Sequence, residues 1–232
     1  MKLSWLNRLP AVCGAIYVVL ALSEGGGDDS APTIASGGQQ IARYAAAHPI
    51  ASGTYYVGVA ALLALLVFTV ALQSALKRTE PGGAIASTVV LGAGILAVAV
   101  KLSSLPAVYA LYSSPTPIDA SVARALWVLG EFAFVLVMLA QALMLGAAAA
   151  SGLMHGGIPR WLAATAGVIA VALPVGVAVA GKSDNFLAEL LWLAWVLVAS
   201  VTLAIRAPRS SVDGVSVQDS ESGPPVRAAA RP

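Results

Sequence analysis

The stretch Ala84–Ser151, AIASTVVLGAGILAVAVKLSSLPAVYALYSSPTPIDASVARALWVLGEFAFVLVMLAQALMLGAAAAS, decides the fold. Two apolar runs, at about 84–112 and 118–151, flank the break Ser113-Ser114-Pro115-Thr116-Pro117, and only Lys101, Asp119, Arg124 and Glu131 are charged. A continuous apolar run of roughly 18 or more residues is what a bilayer core of about 30 Å asks of a helix. Proline and serine between two such runs mark a turn. The stretch therefore predicts two membrane-spanning helices folded into an antiparallel hairpin, each longer than the lipid needs.

Four more runs lie around this hairpin, at about 9–22, 54–76, 161–180 and 186–205. The whole chain of 232 residues is 59% hydrophobic and 10% charged, with a mean hydropathy of +0.85. An average soluble domain carries about 25% charged residues, and charge this sparse does not cover a water-facing surface. The expected class is all-α, a polytopic transmembrane bundle of six spans in one domain. A β-barrel is excluded, because its strands alternate apolar and polar over about ten residues. A net charge of +2 argues against a nucleic-acid partner; membrane lipids are the expected partners, with a homo-oligomer or a second membrane protein left open.

The first run has two readings. Lys2 and Arg8 precede a short apolar stretch, and Ala21-Leu22-Ser23 resembles a cleavage site, as in a secretory signal peptide. The apolar character reaches back to Leu3, which favours a retained span. Cys13, the one cysteine, reads as a small buried thiol. Glu24, Asp28 and Asp29 beside Gly25-Gly26-Gly27 read as a solvated acidic loop. Ser36 with Gln39 three residues on is a capping-box pattern. It predicts a short helix at about 37–47, ended by Pro49, lying along the outer membrane surface. Tyr55 and Tyr56 suit the membrane interface, and the tail 207–232, rich in Ser, Pro, Gly and Arg, reads as disordered.

Basic residues set the orientation. With the N-terminus inside, Lys2, Arg8, Lys77, Arg78, Arg160, Arg206, Arg209, Arg227 and Arg231 fall on the cytoplasmic side, against Arg43, Lys101, Arg124 and Lys182 outside. Both termini are expected in the cytoplasm.

An ionisable residue inside a span costs about 2.5–3.5 kcal/mol on insertion scales and is a functional candidate by default. Lys101 and Glu131 stand equally far in sequence from Thr116, so a simple hairpin places them at equal depth. Arg124 lies seven residues before Glu131 on nearly the same face, about 10 Å nearer the outer surface. Glu189 enters the last span from that side. One reading is an outward-opening polar cavity for a small ligand or ion; the other is an ion-pair network locking the spans together. No residue is assigned a catalytic role, and no metal or cofactor is expected. His48 and His155 fall on opposite sides of the membrane, so they do not share a metal. Pro106 and Pro174 interrupt helical runs, and Gly92, Gly94 and Gly146 offer surfaces for close helix approach. The chain lacks a phosphate-binding glycine loop, an HExxH helix and a nucleophile elbow.

Three segments together carry a family likeness: Ile41-Ala42-Arg43-Tyr44-Ala45-Ala46-Ala47-His48, Ala75-Leu76-Lys77-Arg78-Thr79-Glu80-Pro81-Gly82 and Gly157-Ile158-Pro159-Arg160-Trp161-Leu162. In order and spacing, over roughly residues 9 to 206, the chain resembles a family of uncharacterised actinobacterial six-span integral membrane proteins with a domain of unknown function. The resemblance implies a short helix in the first outer loop, an uncleaved first span and an actinobacterial plasma membrane. It transfers no activity and no catalytic residues. The leading expectation is a non-enzymatic structural or interaction component of the membrane. The alternative is a small transporter or ligand-binding protein using Lys101 and Glu131. A membrane-embedded enzyme with an outward-facing site is the least favoured.

Overall fold

The computed structural model describes residues 9–23, 31–82, 85–114, 118–180 and 186–206. The acidic loop at Glu24–Asp29, the Lys182–Asn185 turn and the tail 207–232 lie outside the described residues. Among the described residues seven helices follow one another: α1 Leu9–Ser23, α2 Gly38–Ala47, α3 Ser52–Lys77, α4 Ile85–Ser113, α5 Ala120–Met154, α6 Arg160–Ala180 and α7 Phe186–Arg206. Five of them, α3 to α7, are long and apolar enough to cross a membrane, which makes this a multi-pass helical membrane protein.

The helix α1, with 15 residues, is about 22 Å long, short of a full bilayer core. It is nevertheless built into the bundle against α3 and α7. A Cβ on Gly14 would press on the Phe68 ring at 2.5 Å, so the backbone of α1 lies directly on that ring. The Ala15 N–H donates to Ser200 Oγ at 3.0 Å, and the Trp192 indole N–H donates to the Tyr17 hydroxyl at 3.2 Å. Cys13 on this helix is half-buried, not enclosed.

The short helix α2 forms where the sequence places it, by a different cap. Its N-cap is Gly37, which has no side chain to offer, and Ser36 Oγ turns back to accept from the Thr33 N–H at 3.0 Å. The Ser36/Gln39 capping box is therefore not made. What holds α2 is packing: Ile41 and Ala45 bury against Leu111 of α4 and Ala123 of α5. Around them Tyr44 meets Tyr112 and Trp127 edge-on, with centroids 6.4 Å apart in both pairs.

The long hairpin α4–α5 organises the rest. Asp119 caps α5, its carboxylate accepting from the Ser121 N–H at 2.8 Å. The Ser121 hydroxyl and N–H hold Asp119 below the usual carboxylate range. Both α4 and α6 run unbroken through Pro106 and Pro174. The register of α5 on α6 follows from Gly152 against Ala163, Ala149 against Gly167 and Gly146 against Ala170. Extended to the end of α6, that register reaches about Leu136. The part of α5 from Ala120 to Leu136 thus runs some 24 Å past the end of α6. On this projecting part α2 is seated.

At the opposite end, two joints meet. Gly156 and Gly157 take φ of +89° and +86°, left-handed backbone that favours glycine. A Cβ on Gly157 would also sit 2.9 Å from Thr79 Oγ1 and 3.0 Å from the Ala75 carbonyl oxygen. The α5–α6 joint is thereby pressed onto the end of α3.

Candidate functional site

The four charged residues expected to cluster are spread over two levels. Lys101 of α4 is half-buried, and its ammonium lies 5.9 Å from the centroid of the Phe134 ring, a cation–π contact. Phe134 is three residues beyond Glu131, about one turn. The register of α4 on α5, with Val108 against Gly130 and Lys101 against Phe134, is therefore offset by a turn from a hairpin centred on Thr116. Glu131 itself is buried, at 7% exposure. Lys101 also supplies the attractive charge at Glu189 near the start of α7.

Arg124 stays apart. It is exposed although seven residues, two turns, put it on the face of Glu131. At its level α6 has already ended, so nothing from that helix covers it. The structure thus brings Lys101, Glu131 and Glu189 to the region where α6 ends and α7 begins, and leaves Arg124 on the projecting part. His48 and His155 stand at opposite ends of the bundle. His48 caps α2, with Nδ1 2.9 Å from the Tyr44 carbonyl oxygen and its ring stacked on Tyr44; His155 caps α5.

A second polar group, which the sequence does not single out, forms where the α3–α4 and α5–α6 joints meet. Glu80 follows α3, and its carboxylate accepts from the Ser87 N–H in the first turn of α4, at 3.0 Å to Oε1 and 3.3 Å to Oε2. A carboxylate there satisfies an otherwise free N–H and complements the helix dipole. Ser151 and His155, four residues apart on the last turn of α5, face the same carboxylate. Burial raises the Glu80 pKa, but the Ser151 and Ser87 hydroxyls, the Ser87 N–H and His155 outweigh it, and the group is held below the usual glutamate range. Ser151 is 1% exposed, and its Oγ has no partner of hydrogen-bonding geometry. It lies near enough to Glu80 to make the carboxylate more acidic without completing a bond to it.

These groups form the polar end of a cleft of about 450 Å³. Its walls are apolar: Ile85, Ala86 and Val89 from α4, and Ala147, Ala150 and Met154 from α5. The sequence holds each part of this site, a glutamate seven residues before a helical serine and a Ser/His pair at i, i+4. It does not show that two separate joints touch; that depends on Gly157 lying against Thr79 and Ala75. No family model, curated protein or solved structure matches the chain.

Proposed function

We propose that the protein is a non-enzymatic component of the plasma membrane that works through interaction, with the projecting α2–α4–α5 platform as its contact region. The observation that carries this reading is the length of α5. At 35 residues it measures about 52 Å, against about 30 Å of hydrocarbon. The excess is not a loose extension, since α2 is packed on it through Ile41 and Ala45. At the same end of the bundle, Tyr56 in the first turns of α3 and Val122 and Leu129 of α5 are 72%, 48% and 52% exposed, apolar groups available to a homo-oligomeric or membrane-protein partner. Positive-inside bias supports an outward-facing platform, cytoplasmic termini and a first span completed by α1. The family resemblance supports an actinobacterial plasma membrane. The test is photo-crosslinking from position 122 in intact cells, with native mass measurement after gentle extraction. A defined crosslinked species is expected; a monomer with no crosslink from position 122, 56 or 129 overturns the reading.

Lys101, Glu131 and Glu189 favour a second reading, a ligand or ion site at the foot of the platform. As a helix-locking cluster, Glu131→Gln lowers the unfolding temperature, because the half-buried Lys101 ammonium loses part of its compensation. As a ligand site, Glu131→Gln leaves stability intact and abolishes a ligand-induced thermal shift.

A further inference from the structure

We propose that the cleft at the α3–α4 and α5–α6 joints seats one phospholipid whose headgroup carries a primary ammonium. The polar end of the cleft is an acceptor without a full complement of donors. Glu80 is anionic and receives the Ser87 N–H, and with the Ser87 and Ser151 hydroxyls also acting on it its roughly four lone-pair sites leave room for a further donor. Beside it stands the Ser151 hydroxyl, buried, close enough to act on Glu80 but without a partner of full hydrogen-bonding geometry, a group that a further polar partner would satisfy. An ammonium brings three donors and a positive charge to this pair. A quaternary ammonium brings the charge but no N–H.

The rest of the cleft suits the rest of such a lipid. Ala147 and Ala150, one turn apart on α5, open a shallow apolar channel against Val89 and Ile85 of α4. Ile85 and Met154 at its rim are 77% and 73% exposed, on helices that cross a membrane, so the channel faces acyl chains. Lys77, Arg78 and Arg160 are exposed around the same joints and carry the charge that a lipid phosphate prefers. Amine acceptor, phosphate-side cations and an acyl channel thus occur in the order in which one phospholipid presents them.

The test uses full-length protein, delipidated in detergent, with dioleoyl phosphatidylethanolamine and dioleoyl phosphatidylcholine compared by native mass spectrometry. One ethanolamine lipid is expected to be retained, with an affinity about tenfold above the choline lipid of identical chains. Glu80→Gln and Ser151→Ala are expected to bring that ratio toward one, and Ala150→Phe, at an exposed position, to weaken both lipids by filling the channel. Equal retention of the two lipids by the wild type overturns the proposal. So does a preference that survives Ser151→Ala, or lipid retention that Ala150→Phe leaves unchanged, variants that decide the matter even where Glu80→Gln fails to fold. Displacement of the lipid by glycerophosphoethanolamine at equal concentration also overturns it, and identifies a site for soluble amines.

Discussion

Gly92 and Gly94 sit two residues apart in one apolar run, and from sequence they are equivalent small residues. In the fold they are not. A Cβ on Gly94 would run into Thr69, whose Oγ1 lies 2.8 Å from that position, whereas a Cβ on Gly92 meets nothing within 4 Å. Gly94→Ala is therefore expected to force α3 and α4 apart and lose about 1–3 kcal/mol. Gly92→Ala is expected to be neutral or to gain up to about 1 kcal/mol of helix propensity. Thermal unfolding in one detergent checks both, and a Gly94→Ala protein as stable as the wild type would refute the close approach. Glu80 makes the complementary case for a polar residue. Its folded pKa is depressed, so its contribution is present above the unfolded carboxylate value and is lost as pH falls through the folded one. At neutral pH Glu80→Gln is expected to lose about 1 kcal/mol of capping. Below the ordinary glutamate range the wild type should approach the variant; unfolding curves that stay parallel into acid would rule out the capping role.

Run length alone locates the helices to within a few residues: α3 is expected at about 54–76 and found at Ser52–Lys77, and α4 at about 84–112 and found at Ile85–Ser113. This is legible because lipid imposes one requirement on every span, a minimum apolar length. What neighbouring spans do to each other is not legible in the same way. The offset of Lys101 to Phe134 depends on how α4 and α5 pack along their lengths, and the cleft on where Gly157 meets α3; neither follows from hydropathy. The excess length of α4 and α5 is visible in sequence, and here it takes structural form as a platform. A cysteine placed at Val122, 48% exposed on the projecting part, in a Cys13→Ser background, is expected to react with a membrane-impermeant maleimide on intact cells. One placed at Val171, 64% exposed in the middle of α6, is expected to stay unlabelled because lipid covers it. Equal labelling at the two positions would mean that the hairpin does not rise above the membrane.

Across the whole molecule, charge and packing bear on the same question, how many times the chain crosses. Lys77 and Arg78 at the end of α3, Arg160 at the start of α6 and Arg206 at the end of α7 lie at one end, while Arg43 and Arg124 belong to the other. By the positive-inside rule such a distribution favours the basic end in the cytoplasm. With the tail in the cytoplasm, the chain crosses six times if α1 stays and five times if it is cleaved. Cleavage after Ser23 would uncover Phe68 and Trp192, both 0% exposed, and would leave the hydroxyl of Ser200 without the Ala15 N–H. Each large aromatic so exposed forfeits close packing that lipid chains replace only in part, so a processed protein would lack one wall of the α3–α7 groove. The expected result is an intact mass that includes α1, together with cytoplasmic activity of a reporter fused after Arg206. A mass that begins after Ser23 would refute retention, and a reporter active only outside the cell would refute a cytoplasmic tail. The two measurements separate the fate of α1 from the direction of the bundle, because a cleaved first helix followed by five spans still returns the tail to the cytoplasm.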